Sequence, residues 1–158
     1  MGWRPGELTR AREAREWSVP QLARELGLNR TVVLRYEKPK EQGGSAPSPE
    51  TLVKMARLLD VAAERFVDFT VAGLAGYRAV RGLSQAELVR EVGDPDLDVQ
   101  GYRLLEAGKT LRLRTAQARS LGAYFGLTED EVRVAHGYSV ARHQAAAEAT
   151  GGSAARKR

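Results

Sequence analysis

Cysteine is absent from the 158 residues, so neither a disulfide framework nor a thiolate metal site can form, as suits a reducing compartment. Histidine is almost absent too. His136 and His143 are the only imidazoles, too few and too isolated to hold a metal, and no cofactor is expected. No apolar run approaches the roughly 20 residues of a membrane-spanning helix. The opening MGWRPGELTR also lacks the apolar core of a signal peptide. The expectation is a soluble, cytoplasmic protein with no membrane partner. Paired carboxylates, a Ser-His-Asp set and a phosphate-cradling glycine loop are missing as well, and Gly43-Gly44 reads as part of a connecting loop. No enzymatic role is expected.

What is present is charge and helical pattern. Hydrophobic residues make up 42% and charged residues 28%, a globular balance, and the richness in Leu, Ala, Arg and Glu leans helical. Lys and Arg number 25 against 20 for Asp and Glu, a net charge of +5, with a pI near 9.8. A basic balance favours nucleic acid or another anionic surface as partner, but the placement of the charge must decide.

The chain repeats itself. Leu8, Arg12, Arg15, Ser18, Leu22 and Gly27 recur 66 residues later as Leu74, Arg78, Arg81, Ser84, Leu88 and Gly93. Glu37 then answers to Glu106 at a spacing of 69, because DPDLD (Asp94 to Asp98) lengthens a turn. The spacing returns to 66 for Met55, Val61 and Phe66 against Leu121, Leu127 and Val132. Both length changes fall at turns, where insertions disturb packing least.

Each copy predicts five short helices. In the first, Leu8, Ala11 and Arg15 mark helix one, and Ser18 caps helix two with Gln21 completing a capping box. Gly27 ends that helix, and Asn29 caps a third whose inward residues are Val33 and Tyr36. Ser48-Pro49 opens the fourth, with Leu52, Met55, Ala56 and Leu59 as its buried stripe. Val61 and Phe66 close the copy through a short fifth helix. The second copy has the same pattern, with Ser84 and Glu87 and then Thr128 and Glu131 as capping pairs. The expected divisions are residues 1–67, 68–138, and 139–158 as a short helical extension that frays into a basic tail from Gly151.

AREAREWSVPQLARELGLNRTVVLRYEK and YRAVRGLSQAELVREVGDPDLDVQGYRLLEAGK both resemble the lambda-repressor/Cro-like (Xre) helix-turn-helix family. The resemblance implies an all-α chain of two tandem five-helix domains, in each of which helices two and three form a DNA-reading unit. It also implies an ion pair between Arg12 and Glu37, and another between Arg78 and Glu106, tying each reading helix to its domain. The copies depart from the family differently. The first has Val19 and Pro20 at the start of helix two, and the second has a turn three residues too long.

Reading DNA in this way needs side chains on the exposed N-terminal half of helix three and donors that grip the flanking phosphates. In copy one, Arg30 and Arg35 suit guanine, while Thr31 and Val32 offer methyl groups to thymine. Ser18, Asn29, Lys38 and Lys40 are the expected phosphate contacts. In copy two the base-reading positions are Val99, Gln100 and Arg103, with Ser84, Gln85, Lys109, Arg112 and Arg114 on phosphates. Asp94, Asp96 and Asp98 oppose DNA there unless they cap the helix or pair with arginine.

Two functional classes follow. One is a sequence-specific regulator of transcription, most simply a repressor. The Xre family is common among phage and plasmid immunity repressors, antitoxins and bacterial regulators. Two motifs in one chain let a monomer engage two adjacent segments of double-stranded DNA, with a homodimer as the alternative. The other class is a protein-interaction module or antitoxin, in which only copy one binds DNA and copy two makes dimer or partner contacts, for instance with the transcription machinery.

Overall fold

The computed structural model describes residues 2–155, with side chains for residues 2–149. Among these, the chain forms ten α-helices and no strand beyond one isolated antiparallel bridge between Trp3 and Val67. It divides into two compact units, Met1–Asp68 with Arg78–Ser84, and Phe69–Tyr77 with Gln85–Arg158.

The first unit contains α1 (Pro5–Ala14), α2 (Val19–Leu26), α3 (Arg30–Tyr36) and α4 (Pro49–Leu59), with 3-10 turns at Lys40–Gln42 and Ala63–Phe66. Helix starts fall where the capping chemistry is. Ser18 Oγ accepts from the Gln21 amide at 3.3 Å, and Asn29 Oδ1 accepts from the Thr31 amide at 2.9 Å. Ser48 Oγ accepts from the Thr51 amide at 3.2 Å, with Pro49 pre-set for the first helical position. Gly27, at φ 71°, ends α2 in the left-handed conformation that glycine adopts without steric cost, and the Leu28 amide folds back to the Ala23 carbonyl.

The helical stripes meet in one core of Leu8, Leu22, Leu26, Val33, Met55, Leu59 and Phe66. Burying each such side chain contributes about 1.5–3 kcal/mol. Trp17, Leu28 and Tyr36 pack against it half-buried. Trp3, which the helical pattern did not place, lies 5.7 Å from the Phe66 ring and donates its indole N–H to the Tyr36 carbonyl at 2.8 Å. The expected fifth helix is only the 3-10 turn Ala63–Phe66. Val67 follows at once in extended conformation and bridges to Trp3, which leaves no length for an α-turn.

In the second unit the expected first helix is interrupted. Gly73, at φ 59°, separates α5 (Phe69–Ala72) from α6 (Leu74–Ala79), whose last two residues belong to the first unit. A Cβ at Gly73 would lie 2.4 Å from Ser139 Oγ, so the backbone approaches closely at a point only glycine allows. The unit continues with α7 (Gln85–Val92), α8 (Val99–Glu106), α9 (Thr115–Phe125) and α10 (Glu129–Ala155). Leu88, Leu97, Tyr102, Leu105, Leu121, Phe125 and Val132 are buried. Tyr77 stacks at tilted angles between Phe69 and Phe125, at 4.6 and 5.7 Å.

The bounds of α7 and α9 lie 66 residues after those of α2 and α4, and the conformational markers recur at the same interval. Gly93 repeats the left-handed Gly27, while Glu16 and Asp60, both left-handed, have glycine counterparts at Gly82 and Gly126. The extension after residue 138 differs from expectation. α10 passes through Gly151 and Gly152 to Ala155 instead of fraying at Gly151, carried by the strong helix former alanine at 145–147, 149 and 154–155. The rest of the expected tail, residues 156–158, lies outside the described residues.

Candidate nucleic-acid interface

The first unit fixes α3 at both ends. Asn29 caps its start. At its close, Glu37 accepts from Arg12 Nε at 2.6 Å and from Nη2 at 3.2 Å, and Arg12 Nη1 donates to the Trp17 carbonyl at 2.7 Å. The carboxylate holds the Arg12 guanidinium above its usual pKa, against the opposing effect of burial. Arg12 thus joins α1, the turn before α2 and the end of α3.

With Val33 turned into the core, Arg30, Thr31 and Arg35 are exposed on α3 and Val32 is half-buried. Among the described residues, the guanidinium groups of Arg30 and Arg35 have no hydrogen-bond or ion-pair partner. Ser18, Lys38 and Lys40 are exposed around them in sequence. The loop bearing the two lysines is closed on itself. The amides of Gln42 and Gly44 both donate to the Pro39 carbonyl at 3.0 Å, and the Ser45 amide returns to Arg35 O at 3.0 Å.

In the second unit Asp98 Oδ1 caps α8 through the Gly101 amide at 2.5 Å. It occupies the position that Asn29 holds before α3. Asp94 Oδ1 accepts from the Asp96 amide at 2.8 Å, so two of the three turn carboxylates serve local structure. The Asp96 carbonyl accepts from Arg114 Nη2 at 2.9 Å and Gln117 Nε2 at 3.0 Å.

Val99, Gln100 and Arg103 are exposed on α8, and Ser84, Lys109, Arg112 and Arg114 are exposed nearby in sequence. Gln85 and Arg103 are drawn together, a relation that spacing did not foretell. Arg103 Nε donates to Gln85 Oε1 at 3.4 Å, and Gln85 Nε2 donates to buried Glu106 at 3.0 Å. Gln85 therefore braces α8 against α7, and Arg114 is partly committed to Asp96. Arg78 Nη1 donates to Leu83 O at 2.6 Å, repeating the bond from Arg12 to Trp17.

His136 is 5% exposed and bonded to the Thr110 carbonyl. No group of acidic residues or histidines suited to a metal ion occurs among the described residues. Nor is any described helix long and apolar enough to cross a membrane.

Residues 8–66 match the helix-turn-helix family of the Xre, lambda-repressor-like type. The match runs from within α1 to the end of the Ala63–Phe66 turn, and it supports a DNA-binding reading of that segment. No curated protein and no solved structure matches the chain.

Proposed function

We propose that the chain is a sequence-specific transcriptional regulator, acting as a repressor, that reads double-stranded DNA with α3 and α8. The observation that carries this reading is α3 itself. It lies in the matched segment, it is fixed by Asn29 and by the Arg12–Glu37 pair, and it offers Arg30 and Arg35 without partners among the described residues. Arg30, Thr31, Val32 and Arg35 address base edges, while Ser18, Asn29, Lys38 and Lys40 address phosphates.

The second unit supports the same use through its recurring helix bounds and the Asp98 cap, with Val99, Gln100 and Arg103 in the corresponding places. Two directly repeated motifs suit an extended, non-palindromic site engaged by one chain. Single-motif proteins instead dimerise on palindromes with half-sites about one helical turn apart. Occupancy set by protein concentration is then the simplest mode of control.

The brace from Arg103 to Gln85 favours a second reading, in which α8 is structural and the second unit serves dimer or partner contacts. Selection from a randomised duplex library, followed by footprinting, separates the two. A long asymmetric footprint at one chain per site is expected. A short palindrome bound only by a dimer would overturn the tandem reading.

A further inference from the structure

We infer that His136 and Arg133 of α10 are positioning residues that hold the loop after α8 as a fixed cationic arm for DNA. This rests on the second unit contacting DNA. The loop, residues 107–114, lacks regular helix, yet its path is fixed at four points. At Gly108, with φ 70°, a Cβ would lie 2.1 Å from the Ser139 carbonyl oxygen, so the chain runs directly against α10. The Thr110 carbonyl accepts from Nε2 of buried His136 at 2.9 Å. The Leu113 carbonyl accepts from Arg133 Nη1 at 3.0 Å, beside its own buried side chain. Arg114 Nη2 closes the loop on Asp96 O at 2.9 Å.

Arg133 is itself held. Its Nη2 donates to Glu129 Oε1 at 2.7 Å and to Thr115 Oγ1 at 3.1 Å, and Glu129 is gripped from the other side by Arg119 at 3.2 Å. The clamp takes backbone carbonyls and leaves the side chains of Lys109 and Arg112 outward and exposed. Arg112 lines a groove with Gly101 and Leu104 of α8, so the arm lies beside the exposed face of that helix. A mobile loop would lose chain entropy on gripping phosphate. A loop already tied down does not.

The test is a cycle of variants titrated, over a series of salt concentrations, onto a duplex selected by the wild-type chain, with denaturation midpoints alongside. H136L removes the bond to Thr110, whereas the amide of H136Q can replace it. R133K keeps the charge but cannot span Leu113, Thr115 and Glu129 together, and it tests the clamp if H136L fails to fold. H136L and R133K should each bind about fivefold more weakly at 0.15 M salt, with a log-log salt slope shallower by about 1, as for one lost phosphate contact. H136Q should bind like wild type. In a K109A/R112A background, the effects of H136L and R133K should vanish. Equal losses in that background, or weaker binding with an unchanged slope, would overturn the clamp. If K109A/R112A alone binds like wild type at every salt concentration, the failure belongs to the reading of the second unit.

Discussion

The Arg12 guanidinium grips Glu37 through two hydrogen bonds, at 2.6 and 3.2 Å, with both side chains only 11% exposed. Desolvation makes the pair sensitive to the loss of either member, since the survivor is a nearly buried charge. E37Q or R12M should lower stability by about 3 kcal/mol, while R12M/E37M stays much closer to wild type. Urea unfolding of the three variants measures this. Single variants as stable as wild type would show that the pair does not hold α3.

Arg35 and Arg103 differ in a way that binding should expose. Among the described residues Arg35 has no side-chain partner, whereas Arg103 leans on Gln85. R35A and R103A should each cost about 1–3 kcal/mol of discrimination, at opposite ends of a selected site. If R103A leaves base preference unchanged everywhere, α8 does not read sequence.

Gly44 closes the lysine loop. A Cβ there would fall 1.8 Å from the Lys38 carbonyl oxygen and 2.7 Å from that of Pro39, both backbone atoms that cannot step aside alone. G44A should open the loop, lower the denaturation midpoint and shift Lys38 and Lys40. DNA affinity should then fall with a shallower salt dependence. Wild-type midpoint and slope would mean that the closed loop is not needed.

Local chemistry is legible in the amino-acid sequence. Ser18, Asn29 and Ser48 cap where their side chains allow, Leu22, Val33 and Met55 point inward at helical spacing, and the 66-residue recurrence reappears in the helix bounds. The aspartates before α8 illustrate the limit. Their residue types leave both repulsion and capping open, and only the backbone direction decides that Asp98 caps α8. Arg133, His136 and Arg142 were invisible for a related reason. Arg142 caps the Ala72 carbonyl from 70 residues away, and Arg133 reaches Leu113 from 20. No spacing rule says which distant carbonyls a long side chain will meet. The shortened fifth helix likewise depended on Val67 pairing with Trp3.

Burial holds the His136 pKa below its usual value, an effect that nearby Arg133 reinforces and the bond to Thr110 opposes. The unfolded chain therefore takes up a proton near pH 6.5 that the folded chain resists. The resulting contribution to stability is complete above that pH and is lost progressively as pH falls toward the lower folded value. Denaturation midpoints between pH 7.5 and 5 should drop more for wild type than for H136Q, at conditions the assay sets. Parallel curves would exclude His136 as the source.

Glu16 follows α1 at φ 57°, where a side chain crowds its own carbonyl, at a cost of roughly 1–2 kcal/mol. Its counterpart 66 residues on is Gly82, at φ 74°, so the same turn is made there without that strain. The Glu16 side chain is exposed, so replacing it removes no buried surface. E16G should stabilise the chain, by about 0.5–1 kcal/mol once the greater unfolded-state freedom of glycine is subtracted. E16A should not, because alanine keeps the Cβ that causes the strain. Thermal unfolding of both variants decides the matter. A lower midpoint for E16G would mean that the unfolded-state term outweighs the relief at this turn.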